Sequence, residues 1–318
     1  MIPSAKSIQN RLRIKQLSLI AALQEFRSLR KVAEAMHLSQ PAATKMLQEI
    51  EETLGVPLFE RMPRGMQPTV FGESVINYAH LMLADLDNLR EQLAAQQAGG
   101  VGEVSVGSIM APTPGLLTHT IVELKSRFPL LKISVYVDTS DVLIQLLEQG
   151  KLDIVLGRIW NPSEHSGLNF EVVDNEALSV VAGAHHPLAQ ERQLELSDLA
   201  HLSWILQPPG SPMRQLLELA FREAKIATPT NLVETASILT TTILLQETEM
   251  VSVVPKTIAE HYATSGIICI LPVRITLQLE PYGIITRKER IPAPAVVIFQ
   301  DCLRTLMRTA HLQRNSAQ

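Results

Sequence analysis

"SLRKVAEAMHLSQPAATKMLQEIEETLG", residues 28–55, holds two helical patterns with almost nothing between them. In the first, Ser28 is suited to cap a helix, and Val32, Ala33 and Met36 supply a buried stripe. The second begins at Ser39, carries Pro41 in its first turn and stops at Gly55, a residue that accepts the left-handed conformation ending many helices. Only a short turn around Leu38 and Ser39 fits between the two, so the stretch predicts a helix-turn-helix. Upstream, "IKQLSLIAALQEF" (14–26) adds a third helix with Leu17, Ile20, Ala21 and Leu23 near one face.

On a helical wheel, the helix from Ser39 sets Ala43, Met46, Leu47, Ile50 and Leu54 on one side. Pro41, Thr44, Lys45, Gln48 and Glu52 fall on the other. Its first turn is polar and small, which lets backbone approach another surface closely. A helix that enters the major groove by its N-terminal end needs such a turn. Gln40 suits a bidentate adenine contact, Thr44 a thymine methyl or a polar base edge, and Lys45 guanine or phosphate. Ser39 caps, and Pro41 shapes the approach. A polar outer face is also what any solvated helix presents, so the flanks matter. Lys31 begins the preceding helix, and Arg61 and Arg64 frame the segment after it, where phosphate contacts supply affinity without reading sequence.

After Gly55, two extended pieces near Leu58–Arg61 and Met66–Thr69 flank "PRG" and predict a small β-wing. From Phe71 to Ala98 there is no proline, and Val75, Ala79, Met82, Leu86, Leu89 and Leu93 recur at alternating spacings of four and three. That is a coiled-coil seam on a helix roughly 40 Å long, and it predicts pairing with a second copy. "AGGVG" (98–102) is a hinge by composition. Beyond it strands and helices alternate: "EVSVGSI", "PGLLTHTIVELKSRF", "LKISVYV", "DVLIQLLEQG" and "LDIVLG". A second series runs through "LSVVAG", "MRQLLELAFREA" and "MVSVVP", with "PYGIITR" and "AVVIFQDCLRTLM" free to close either unit. Such an order implies α/β architecture with parallel sheet under covering helices.

The whole chain, 318 residues long, carries a net charge of −4. Residues 1–64 nevertheless hold ten Lys and Arg against six Asp and Glu, whereas residues 99–318 hold 17 against 22. A basic head on an acidic body suits a first domain that meets a polyanion. No apolar run approaches the roughly 18 to 20 residues of a membrane span, and the N-terminus lacks the apolar core of a secretory signal. Cys269 and Cys302, the two cysteines, suit reduced thiols in a cytoplasmic protein.

The run "LRKVAEAMHLSQPAATKMLQEIEETLGVPLFERMPRGMQPTVFGE" (29–73) resembles the winged helix-turn-helix of the LysR-type transcriptional regulators. "LSQPA", "IEETLGVPLFER" and "PT..GE" occur in the family's order and spacing. Farther on, the hinge, "LLEQGKLDIVLG", "HPLA" and the final helix extend the resemblance, and "LDIVLGRI" with "PPGSP" is similar to the branch regulating aromatic-acid catabolism or sugar-binding-protein genes. The resemblance implies three parts: a winged helix-turn-helix over 1–70, a linker helix over 71–98, and an effector-binding domain over 99–318. The last is expected to resemble a periplasmic binding protein, with subdomain I over about 102–170 and 275–318 and subdomain II over about 171–274. The chain would cross between them near Asn169–Glu176 and Ile270–Leu277.

The family's mode of action further implies double-stranded DNA as partner, a small organic-acid or sugar-like effector in the inter-subdomain cleft, and dimers or tetramers through the linker helix. It implies no cofactor, and makes RNA polymerase a candidate partner. Ser108 matches the family's hydroxyl-bearing pocket position. Ser211 in "PPGSP", Thr235 and Ser237 in "ETAS", and Arg158 at the end of "LDIVLGR" are further effector-binding candidates. Ser211 has a plainer reading as a helix cap, and Arg158 as a surface ion-pair partner.

Enzyme motifs are missing. "GVGEVS" (100–105) has Ser105 where a dinucleotide fingerprint needs glycine, G-x-S-x-G does not occur, and His185 and His186 precede Pro187 as in a loop. The remaining rivals are a transport-type solute-binding protein, and a cytoplasmic binding protein or enzyme with an accessory DNA-binding head.

Overall fold

The computed structural model describes residues 3–63, 65–97, 100–159, 165–273, 279–288 and 292–316. The chain divides into two units near Leu93.

The first unit opens with a helix that the sequence reading did not foresee, α1 (Ala5–Arg11), capped by Ser4 Oγ. The three expected helices follow as α2 (Ile14–Phe26), α3 (Leu29–Ala35) and α4 (Gln40–Leu54). Ser28 Oγ accepts the Lys31 N–H at 3.5 Å, and Ser39 Oγ accepts that of Ala42 at 3.3 Å. Gly55 takes the left-handed conformation, with φ of 72°, and donates to Glu51 O at 2.7 Å. His37 is also left-handed, at φ 53°, and this reversal is what makes the turn between α3 and α4 so short. Leu19, Ile20, Leu23, Val32, Ala43 and Ile50 are fully buried together. Met36, Met46 and Leu54 are only partly buried against them.

The wing is an antiparallel pair, β1 (Phe59–Met62) and β2 (Gly65–Pro68). Glu51 Oε1 accepts the N–H groups of Leu58 at 2.7 Å and Phe59 at 3.3 Å, which ties the end of α4 to the wing's entry. Thr69 then does two jobs: its hydroxyl donates to Pro57 O at 2.8 Å and accepts from Gly72 N at 3.0 Å, opening α5 (Val70–Gln97). Gly72 must be glycine, because a Cβ there would lie 2.0 Å from Leu58 O. This pair of contacts explains the residues of "PT..GE" physically. On α5, Ile76 and Ala79 are buried within the first unit, whereas Met82, Leu86, Leu89 and Leu93 are 49%, 41%, 52% and 53% exposed. Ala79 of the expected seam is therefore core, and the four residues after it lie open.

The second unit contains two five-stranded sheets. Its first elements are β3 (Glu103–Ser108), α6 (Thr118–Arg127), β4 (Lys132–Val137), α7 (Ser140–Glu148), β5 (Ile154–Gly157) and β6 (Leu168–Asp174). They are followed by β7 (Leu178–Gly183), β8 (Trp204–Leu206), α8 (Pro212–Glu223), β9 (Leu232–Glu234), α9 (Ile238–Glu247), β10 (Val251–Pro255), α10 (Lys256–Thr264) and β11 (Ile268–Leu271). Last come β12 (Tyr282–Arg287) and α11 (Pro294–Ser316).

One sheet has the order β4-β3-β5-β12-β6, the other β11-β7-β10-β8-β9. β3 runs parallel to β4 and β5, as the alternation predicts, but β12 is antiparallel to both β5 and β6. "PYGIITR" thus closes the first sheet, arriving from the second. β6 stays in the first sheet to Asp174, so residues 171–174 belong there and the chain crosses at 175–177. At the return, Ile270 and Leu271 are still paired with β7, and Val273 bridges Leu194. The expected crossing residues 274–277 lie outside the described residues. Each sheet has its own apolar core, one around Phe299 and Val155, the other around Trp204 and Phe221.

Gly72→Ala should lower stability by about 1–3 kcal/mol or more, because wing and linker helix must separate to admit the methyl group. Thermal unfolding of the full chain checks this, and an unchanged midpoint would refute the close approach.

Candidate functional site

Two sets of side chains stand out, one in each unit. In the first, Ser39, Gln40, Pro41 and Ala42 are all exposed at the start of α4, with Lys45 one turn on. The Gln40 amide makes no hydrogen bond among the described residues, so both of its ends are available to a base edge. Thr44 is half-buried and its hydroxyl donates to Gln40 O at 3.0 Å. That bond uses the hydroxyl proton within the helix, leaving a methyl group and a lone pair for other contacts. Lys45 Nζ lies 4.0 Å from Glu49 Oε1 in an exposed pair, a contact weak enough for a phosphate to displace. Lys31 on α3 and Arg61 on β1 are exposed. Arg64 lies outside the described residues.

In the second unit, strand ends and helix starts converge. Arg158 follows β5 and is buried. Its N–H donates to Ser140 Oγ at 3.0 Å, its Nε to Glu280 O at 2.9 Å, and its guanidinium pairs with the Glu176 carboxylate. The guanidinium carbon also stands 5.7 Å from the centre of the Tyr282 ring. Glu176 sits on the first crossing, equally buried, and its second oxygen, Oε1, has no partner among the described residues. Burial pushes the Glu176 carboxyl above its ordinary pKa, and Arg158 beside it holds it back. A cavity of about 20 Å³, roughly the room of one water, is lined by Met110, Thr139, Ser140, Arg158, Glu176 and Gln207 among others.

Arg158 therefore lines the cleft, but as one half of an ion pair. Ser108 is fully buried and donates to Ile109 O at 2.9 Å, one residue behind the lining. Ser211 Oγ accepts from Arg214 N at 3.3 Å and caps α8, next to the lining residue Pro212. Thr235 Oγ1 accepts from Ser237 N at 3.0 Å, and Ser237 Oγ caps α9 through Thr240 N at 3.2 Å. Neither lines the cavity. Sequence reasoning missed Glu176, Thr139, Ser140 and Gln207, which belong to no motif and meet only through the crossing. A wider groove of about 960 Å³ shares Ala111 and Glu176 with this cavity, and the Lys256 and Glu260 it adds are exposed and paired with each other at 3.6 Å. Convergent buried polar groups favour the smaller cavity as the binding cleft.

Residues 14–73 match the model of the bacterial regulatory helix-turn-helix protein, lysR family, and residues 97–308 match the LysR substrate binding domain. The chain is 36% identical over 308 residues to the HTH-type transcriptional regulator GbpR of Azospirillum brasilense, covering 96% of this chain and 90% of that one. Among solved structures, a full-length OxyR from Pseudomonas aeruginosa is 25% identical with a TM-score of 0.59, covering 92% of this chain and 95% of that one. CbnR, a LysR family transcriptional regulator, has the same fold at 22% identity and a TM-score of 0.62, over 93% and 99% of the two chains. No helix among the described residues is long and apolar enough to cross a membrane.

Arg158→Ala should cost about 3–5 kcal/mol by stranding the Glu176 carboxylate, whereas Arg158→Met with Glu176→Leu should be nearly neutral. Urea denaturation separates the two outcomes. The same pair has a pH signature. With a folded pKa above the unfolded one, Glu176 adds stability below the ordinary carboxylate value and loses that contribution as pH rises through the raised one. Stability of the wild-type chain relative to Glu176→Gln should therefore fall across that interval.

Proposed function

The chain belongs to the LysR family of transcriptional regulators, and on that premise we propose that it senses a small organic metabolite in the cleft of its second unit and controls transcription at a two-fold operator. It is a regulator and not an enzyme. The observation that carries the reading is the start of α4, where a serine cap, a free glutamine amide and short neighbours leave one helix end open to base edges. Gln40 and Thr44 read bases, Lys45 contacts guanine or phosphate, Ser39 caps the helix, Pro41 shapes the approach, and Lys31, Arg61 and Arg64 hold the phosphate backbone.

Met82, Leu86, Leu89 and Leu93 support self-association: an exposed apolar seam on a 28-residue helix is covered when a second copy of the helix lies along it. Paired readers then meet an imperfect two-fold site through successive major grooves, in a dimer or a dimer of dimers. The natural place for such a protein is the cytoplasm, with RNA polymerase as a further partner. Effector binding between the two sheets acts on the crossing that carries Glu176, so it shifts the balance between subdomain arrangements and, through them, reader spacing and DNA bend.

The experiment is operator binding by fluorescence anisotropy across salt concentrations. Gln40→Ala should weaken binding by about 1–3 kcal/mol and relax base preference at one position. Lys31→Ala should instead weaken all sequences alike and reduce the salt slope by about one. If both variants behaved alike, the assigned roles would be wrong. Leu86→Glu with Leu93→Glu should yield monomers in sedimentation, and a persistent dimer would sink the pairing role of the seam.

A further inference from the structure

The cleft contains more buried hydrogen-bond acceptor than the protein satisfies. Glu176 Oε1 is buried without a partner among the described residues, and so is Asp141 Oδ1, in the first turn of α7 beside the lining residue Ser140. A Cβ on Gly210, in the loop before α8, would stand 3.7 Å from the other Asp141 oxygen, so this carboxylate lies against that loop, adjoining the lining at Ser140. The cation that would attract an acidic effector, Arg158, is already engaged by Glu176. The other buried arginine nearby, Arg214, is held by Glu218 at 2.6 Å and Glu234 at 3.3 Å. Arg158, Glu176 and Asp141 together carry one negative charge when ionised, which opposes an incoming carboxylate.

We propose that the effector is an uncharged polyhydroxylated molecule of the sugar class, whose hydroxyls donate to Glu176 and Asp141. The inference rests on the cleft being the sensing site. Buried acceptors left unpaired are penalised, so a ligand that donates to them gains what water in a one-molecule cavity supplies poorly. A hydroxyl also accepts. The starts of α7 and α8, at Ser140 and Pro212, bring partial positive charge to the lining. The Thr139 hydroxyl and Gln207 amide make no side-chain hydrogen bond among the described residues, and add donors and acceptors. A cationic amine would pair with the carboxylates but would meet the Arg158 guanidinium and both helix starts. Met110 and Pro255 offer the apolar surface on which a sugar's C–H face rests. Binding requires the cleft to open beyond its present volume, which two subdomains joined by two crossings permit.

The test is calorimetry on the full chain with three probe sets at millimolar concentration. These are neutral aldoses and myo-inositol; aldonic and aromatic acids; and putrescine with spermidine. The expected result is binding from the neutral set, weakened at least about tenfold by Glu176→Gln and by Asp141→Asn. Asp141→Asn keeps the test informative should Glu176→Gln not fold, which circular dichroism reveals. Binding by acids or amines in place of neutral probes overturns the ligand class and leaves the sensing cleft standing. Aldose affinity within about twofold of wild type in a folded Glu176→Gln protein overturns the role of Glu176. Silence from all three sets overturns both the class and the cleft.

Discussion

A helix begins with backbone N–H groups that its own carbonyls cannot reach, and this chain uses that fact in both units. Ser4, Ser28 and Ser39 each satisfy one such group in the first unit, and Ser211 and Ser237 do so in the second. What the caps leave unsatisfied is what a ligand meets. At α4 the remaining polarity sits on an exposed, short-sided turn where a large polyanion fits. At α7 and α8 it is enclosed, beside a cavity with the room of about one water. One local rule therefore leaves polarity open in the first unit and enclosed in the second.

The first unit was largely legible in the sequence because its determinants are local. Ser28, Ser39 and Gly55 mark helix ends by chemistry that acts within four residues, and the apolar spacing of α2 and α4 fixes their inner faces. The long-range part of the fold was less visible. "PYGIITR" reads as a strand, but nothing within it says that it runs antiparallel between β5 and β6. Its place follows from which chain segments are left when the crossings are complete.

The effector candidates show the same limit at the level of single residues. Hydroxyls beside strand ends and helix starts look like pocket groups in the sequence, yet Ser211, Thr235 and Ser237 bond to backbone amides close by. The buried carboxylates at and beside the cleft belong to no motif: Glu176 occurs in a featureless connector and Asp141 in an ordinary first turn. Glu176 matters through burial beside Arg158, and Asp141 through its place against the loop at Gly210, and spacing along the chain encodes neither proximity. Thr44 is an intermediate case: its place on the outer face of α4 is legible in the spacing, but the bond to Gln40 O that occupies its hydroxyl proton is not.

The double crossing also orders the birth of the molecule. Everything up to the end of α5 is contiguous and closes over short sequence distances, so the reader can fold as soon as it leaves the ribosome. The first sheet cannot do the same, because β12, residues 282–287, is inserted between two strands synthesised more than a hundred residues earlier. A nascent chain therefore possesses a finished DNA-reading head long before it has a sensor. A chain interrupted before β12 would retain that head with no means of being instructed.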